Sequence, residues 1–359
     1  MAPRVVVTGV TGYIGGDAFH ALYEAHPDFD YTLLVRTKER AESVRGQYGN
    51  VDKVKVLYPG EVGPSVSFTE VLEDQAKKAD VVLHTADSAD DVAQATAILR
   101  GLQAAGRSAE NPAYWIHISG TGILTWYDHA QSRYGQAPVP EQAYNDLTGI
   151  DRLVNLPDQA PHRNVDNIVL SANDNPGIKT AIVAPPTIYG AGRGPVNKSS
   201  IALPLLTRFI LKHGYAPVIG EGRNEWDNVH VSDVSSLLVR LVDAALDPAR
   251  KRNPEEIFGG RAYYFCASGT HACGKVAVDI AEEAVRQGLL KEALPKVVSL
   301  GEREITDEVG AMWAANSKGV AERARRYLGW EARGPSLEEE IPRVVELEGK
   351  KAGVEGKAL

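Results

Sequence analysis

An α/β fold is predicted, a doubly wound parallel sheet with a smaller, mainly helical C-terminal lobe, and three features of the sequence predict it. Three valines and a threonine at 5–8 run into a turn with glycines at 9, 12 and 15. Short strand-like runs rich in β-branched residues then alternate with amphipathic stretches as far as Ala184, the pattern of parallel strands buried on both faces. Beyond that point helical spacing dominates.

Val5–Thr8 is the first strand. Gly9 permits the sharp turn that leaves it, Gly12 lets the backbone approach a pyrophosphate, and Gly15 lets the next helix pack closely on the strand. That helix, Gly15–Glu24, presents free N–H groups and the positive end of its dipole to the phosphates. Tyr31–Arg36 is the second strand and ends 21 residues after Gly15, which supplies the βαβ setting the glycines require. A charged amphipathic stretch covers Lys38–Val44. Val54–Tyr58, Ala79–His84, Tyr114–Ile118 and Ile178–Ala184 are four further strands, and Asp91–Ala105 has apolar residues at helical spacing. A cofactor is expected at the carboxyl ends of these strands. In the second half, helices are predicted within Ser199–Gly214, Val229–Leu246, Lys275–Gln287 and Gly319–Leu328. Residues after about Glu348 are rich in glycine and lysine and are expected to fray.

The bulk composition narrows the function. With 359 residues, 43% hydrophobic and 24% charged, the chain is long enough for one large domain and an appended lobe. Its net charge of −8 argues against nucleic acid or an anionic membrane as a partner. Cys266 and Cys273 are the only cysteines, too few for a disulfide framework or a zinc site. The nine histidines show no H-x-H or H-x-x-x-H spacing, so no metal is predicted. With no N-terminal apolar leader and no run long enough to span a bilayer, a soluble cytoplasmic protein is expected.

The second strand ends Val35-Arg36-Thr37-Lys38-Glu39-Arg40. A carboxylate here holds the adenosine 2′-hydroxyl of NAD, whereas an arginine accommodates a 2′-phosphate. Arg36 therefore favours NADP(H), with NAD left open, and Lys38 or Arg40 adds charge.

Five further segments follow in order: Leu83-His84-Thr85-Ala86, Ile118-Ser119-Gly120-Thr121, Ala184-Pro185-Pro186-Thr187-Ile188-Tyr189-Gly190, Trp226 to Asp233 with Val229-His230-Val231-Ser232-Asp233, and Asn316-Ser317 with Leu328-Gly329-Trp330. Together with the glycines they make the chain resemble, over nearly its whole length, the extended or atypical short-chain dehydrogenases/reductases of the NAD-dependent epimerase/dehydratase and NmrA-like type. The resemblance implies a Rossmann-type NAD(P)-binding domain over 1–190. It places Gly9, Thr11, Gly12, Tyr13, Ile14, Gly15, Arg36, Thr85, Ala86, Ser119, Pro185 and Ile188 at the cofactor. Thr121 matches the hydroxyl that hydrogen-bonds a substrate oxygen. A substrate-binding lobe is implied for 191–347, able to return a strand to the main sheet, with a flexible tail over 348–359.

One departure matters more than these matches. Redox members of the family carry Tyr-x-x-x-Lys on a helix after the fifth strand, and no such spacing occurs anywhere in this chain. The corresponding window runs from Asp158 to Leu170. One alignment puts His162 and Asp166 at the tyrosine and lysine positions; another puts Asp158 and His162 there. In either case His162 is the candidate for proton transfer, and Asp166, four residues on, is expected on the same helix face. Tyr127, Tyr134 and Tyr144 are alternative proton donors from the preceding loop. The expected function is an NAD(P)-dependent oxidoreductase or epimerase/dehydratase-like enzyme acting on a small carbonyl or alcohol, with an atypical proton relay. A non-catalytic NmrA-like dinucleotide sensor with a protein partner is the alternative, and a non-redox isomerase or cyclase is a third. Trp126, Tyr127, Tyr144, Trp226 and Trp313 suit either an apolar pocket or the core, and both a monomer and a homodimer remain open.

Overall fold

The computed structural model describes residues 2–49, 51–247 and 254–353. In chain order its strands are β1 (Arg4–Thr8), β2 (Asp30–Leu34), β3 (Val54–Leu57), β4 (Val81–His84), β5 (Ala113–Ile118), β6 (Tyr144–Asn145) and β7 (Ile178–Ala184). They continue as β8 (Thr187–Tyr189), β9 (Ala216–Ile219), β10 (Glu225–His230), β11 (Tyr263–Phe265), β12 (Gly269–Ala272), β13 (Pro295–Val298) and β14 (Gly319–Val320). Seven of them form one sheet in the order β11-β7-β5-β4-β1-β2-β3, parallel throughout. The strand order reverses at β1, with β2 on one side and β4 on the other. A ligand of a doubly wound sheet binds at such a crevice.

Alternation along the strands builds two cores. Val5 and Val7 of β1 face Phe19, Tyr31 and Leu241 on one side, while Val6 faces Val71, Val82 and Ile98 on the other, as the two-residue period of a strand requires. The helices Tyr13–Ala25 and Val231–Leu246 cover the first face; Phe68–Lys78, Val92–Ala104 and Arg163–Ser171 cover the second. A third core, with Leu203, Phe209, Ile280 and Ile341, holds the later helices together. Beside it lies a three-stranded sheet in the order β12-β10-β8.

Several elements differ from the sequence expectation. Helix Phe68–Lys78 was not foreseen; Ser67 and Glu70 close a capping box at its start, and Val71, Leu72 and Ala76 bury its inner face. The helix expected within Val229–Leu246 spans Val231–Leu246, while Val229 and His230 of β10 pair with Ile188 and Tyr189 of β8. The helix expected from Gly319 begins at Arg323, since Gly319 and Val320 pair with β6. Nor does the tail begin at 348. Helix Leu337–Lys351 continues through it, and the buried Glu348 carboxylate accepts from Arg208 and Lys351. Residues 354–359 of the expected tail lie outside the described residues. No helix among the described residues is long and apolar enough to cross a membrane.

Candidate active site at the carboxyl edge of the sheet

The glycine turn divides its work by position. Gly9 has φ +78, and a Cβ there would lie 2.7 Å from the Thr85 carbonyl carbon, so both backbone and space demand glycine. A Cβ at Gly15 would lie 2.7 Å from the Gly9 carbonyl carbon. At Gly12 a Cβ would meet only Gly9 O, at 3.1 Å. Gly12 is the N-cap of the Tyr13–Ala25 helix and supplies no capping side chain, which leaves the first N–H groups open to an anion. Thr85 secures the turn from β4: its hydroxyl donates to Thr8 O at 2.6 Å, and its amide donates to Thr8 Oγ1 at 3.1 Å.

Two clefts meet at this turn. One, about 550 Å³, is lined by Gly9, Thr11, Gly12, Val35, Arg36, Arg40, Phe68, Thr85, Ala86 and Asp87 among others. The other, about 810 Å³, is lined by Gly12, Tyr13, Ile14, Gly15, Thr85, Ile188, Asn197, Ile201, Trp226 and Met312 among others. Gly12 and Thr85 border both. A ligand crossing from one to the other passes over the bare Gly12 backbone and the open helix N-terminus. The residues therefore fit a dinucleotide: a pyrophosphate on the turn, an adenosine beside β2, and a nicotinamide towards β8. Arg36 is about half exposed, its guanidinium 4.0 Å from Asp91, and Arg40 borders the same cleft.

The three residues expected to do chemistry are not brought together as the sequence suggested. His162 is the N-cap of helix Arg163–Ser171, with φ 66, and not a member of it. Its left-handed backbone sets it outside the helix that carries Asp166. Its carboxylate partner is Asp90, from the loop after β4, to which Nδ1–H donates at 2.8 Å. Nε2 lies over the turn after β5, where a Cβ at Gly122 would approach it to 3.0 Å. Asp166 is buried and accepts from the Tyr263 hydroxyl of β11 at 2.9 Å. Burial pushes its carboxyl up to about 6, against the pull of the Ser119 and Tyr263 hydroxyls. Thr121 is buried as well, and Ser317 Oγ donates to its carbonyl at 2.6 Å and lies 2.8 Å from its hydroxyl.

A sequence model of the NAD dependent epimerase/dehydratase family matches residues 5–254. The chain belongs to this family. An Acremonium sp protein named oxidase ucsJ is 31% identical over 360 residues, covering 99% of this chain and 100% of that protein. Among solved structures, DesIV, a dTDP-glucose 4,6-dehydratase from Streptomyces venezuelae with NAD and TYD bound, superposes with a TM-score of 0.61 at 15% identity. The match covers 98% of each chain. A UDP-glucose 4-epimerase with UDP-glucose, from Thermotoga maritima, gives a TM-score of 0.58 at 17% identity, covering 97% of this chain and 99% of that one. These two likenesses establish the fold.

Within this epimerase/dehydratase family member, most of the expected cofactor residues line the two clefts, but Ser119 and Pro185 serve the sheet edge. Ser119 N donates to Val183 O, and Pro185 O accepts from Thr121 N; the neighbours Pro186, Thr187 and Ile188 border the second cleft. Tyr13 lends its ring to that cleft while its hydroxyl donates to Gly190 O at 2.7 Å. Of the aromatic candidates, Trp226 lines the second cleft and Trp313 a recess beside it. Trp126 instead donates to the Tyr144 hydroxyl at 2.9 Å, and Tyr144 packs in the second core. Phe68, Asn197, Ile201 and Met312 escaped the sequence reading. Phe68 carries a detectable signal, since it directly follows Ser67 within the Ser67-x-x-Glu70 capping box; the others lie in segments with no motif. Among the described residues no cluster of three or more His, Cys, Asp or Glu is placed to hold a metal ion.

Proposed function

We propose that the chain is an NADP(H)-dependent oxidoreductase acting on a small carbonyl or alcohol substrate, with a proton relay that replaces the family's tyrosine and lysine. The observation that carries this reading is the pair of clefts meeting over Gly12, one bordered by Arg36 and Arg40 and the other by an apolar wall. Similarity to a protein named an oxidase over the full chain supports oxidation chemistry on this scaffold. A bound nicotinamide supplies or accepts a hydride. Gly12 and the open helix N-terminus would hold its pyrophosphate, and Arg36 with Arg40 the 2′-phosphate. His162 has Nδ1 engaged by Asp90, which leaves Nε2 to take or give a proton at the edge of β5.

A second reading has its own support. Thr121 and Asp166, two positions expected to serve catalysis, are both engaged in buried hydrogen bonds, which favours a dinucleotide-binding regulator without turnover. Titration with NADPH and NADH, followed by turnover with a panel of ketones, aldehydes and secondary alcohols, separates the two. The enzyme reading expects tighter NADPH binding and consumption of the nicotinamide, with His162→Phe lowering kcat while sparing cofactor affinity. Binding of NADP(H) with no turnover across the panel would leave the regulator.

A further inference from the structure

Behind Trp226 and Met312 the second cleft continues into a narrow recess with room for about one water-sized group. The two share Thr187, Ala202, Trp226 and Met312, and the recess ends on His271, Cys273 and Trp313. None of the described residues bordering either space carries a charge at neutral pH. Tyr13 keeps its proton, its phenol pushed up by burial and its hydroxyl donating to Gly190 O. Burial pushes the Cys273 thiol up to about 12 and lowers the His271 imidazole to about 4. Away from the Gly12 turn, a diphosphate or carboxylate brought against this wall would lose its water with no cation to replace it.

The wall has two unmet polar demands, the buried and unpartnered Nε1–H of Trp313 and a nitrogen of His271. His271 on β12 is 6% exposed. Its Nδ1 accepts from the Asn228 side-chain amide at 3.0 Å, so in the neutral ring the proton sits on Nε2. That Nε2 is buried and has no hydrogen-bond partner. A buried donor left unmade is unfavourable, and a ligand acceptor in the recess would satisfy it.

We propose that the substrate is an uncharged, predominantly apolar molecule with an acceptor oxygen at its inner end, and that His271 Nε2–H, beside the equally unpartnered Trp313 Nε1–H, selects for that oxygen. The proposal rests on the reading of these clefts as a cofactor-and-substrate site. It separates this chain from the sugar-nucleotide ligands named for its structural neighbours. His271 binds and orients; the proton of the reaction moves elsewhere.

The test uses the full chain saturated with NADPH, and intrinsic fluorescence, since Trp226 and Trp313 border the space. Tetralone and decalone are titrated beside their hydrocarbons tetralin and decalin, and beside UDP-glucose. Saturable ketone binding is expected, with UDP-glucose neither binding nor competing. His271→Phe should weaken the ketones by about tenfold and leave the hydrocarbons within about twofold, the size of one lost hydrogen bond. His271→Gln, which keeps an N–H donor, should restore the preference for ketone over hydrocarbon. Met312→Arg should abolish binding of both neutral classes, and it tests the apolar wall even if His271 variants fail to fold. Tighter binding of UDP-glucose than of either ketone, no saturable ketone binding, or equal losses for ketone and hydrocarbon in His271→Phe would each overturn the proposal. NADPH affinity measured in the same samples keeps the outcomes apart: retained cofactor binding with failed ketone binding refutes this inference and leaves the cofactor site standing.

Discussion

Arg36 stands half exposed at the mouth of the first cleft, 4.0 Å from the Asp91 carboxylate. An exposed pair at that distance contributes little, so the guanidinium is free to turn to an incoming phosphate. A charge-assisted hydrogen bond to a 2′-phosphate contributes about 1.5–3 kcal/mol. Arg36→Ala should therefore weaken NADPH by roughly ten- to a hundredfold while changing NADH little, and Arg36→Asp should reverse the preference; fluorescence titration checks both. Equal affinities for the two nucleotides in the unmodified protein would remove Arg36 from the argument. Asp166 poses a different question, because nothing in its sequence setting reveals that it is buried. Its carboxyl, at about 6 when folded against an ordinary 3.8, holds a proton that the unfolded chain has already released between those values. Stability therefore falls as pH rises through that window, by ~3 kcal/mol for this group. Asp146 and Asp227, raised to about 6 by burial, act in the same direction. Asp166→Asn keeps an acceptor for Tyr263 and removes the charge. It should match the unmodified protein at about pH 4 and gain up to ~3 kcal/mol above about pH 6, as urea midpoints across pH would report. A parallel pH dependence in the two proteins would show that Asp166 is not desolvated.

At the scale of elements, the strand–turn–helix at the N-terminus was legible because each glycine answers a separate steric demand. Gly9 and Gly15 have no room for a Cβ, whereas at Gly12 a Cβ would meet only Gly9 O, at 3.1 Å, which a shift of a few tenths of an ångström relieves, and the position faces the clefts. Gly12→Ala should accordingly fold, yet lose most of the thermal stabilisation that NADPH confers. Gly9→Ala and Gly15→Ala should lower stability before any ligand is added. Thermal melts with and without NADPH distinguish the two classes, and undiminished stabilisation in Gly12→Ala would make the turn structural only. The helix at His162 was misread for a related reason. Its spacing to Asp166 suits a shared helical face, but helix periodicity applies only inside the helix, and the chain enters this one through a left-handed residue. Asp90, the partner that the fold supplies, lies 72 positions away in sequence. Helix Phe68–Lys78 was readable in principle, since Ser67-x-x-Glu70 and the burial of Val71, Leu72 and Ala76 are a local signature.

In the whole molecule, the parallel sheet followed from its strands, but the lobe over the cofactor edge depends on contacts between distant segments that no local pattern announces. Asp17 joins three of them. It is fully buried on the Tyr13–Ala25 helix, accepts from the amide and guanidinium of Arg193 at 2.9–3.0 Å, and accepts from Ser235 Oγ of the Val231–Leu246 helix at 2.6 Å. Burial pushes its carboxyl up, but Arg193 and Ser235 outweigh burial and hold it below the ordinary range. Arg193 begins the stretch that carries Asn197, Ser200 and Ile201 to the second cleft. Beside it Gly16 and Gly194 meet so closely that a Cβ at Gly194 would lie 2.6 Å from Gly16 Cα. The cleft wall is thus clamped to the helix whose N-terminus faces the pyrophosphate position. Removing one member of a buried pair costs about 3–5 kcal/mol; Arg193 is 39% exposed, and water reduces this to about 2–3 kcal/mol. Asp17→Asn should lose that much stability at neutral pH. The loss should shrink as acid protonates Asp17 in the unmodified protein, because a depressed carboxyl contributes only above its unfolded pKa. It should also free the wall, so that trypsin cuts after Arg193 or Lys198 sooner than in the unmodified protein and NADPH binds more weakly. Lower stability with unchanged cleavage at those sites would confine Asp17 to holding helices together. Faster cleavage that NADPH slows would tie the clamp to the cofactor edge.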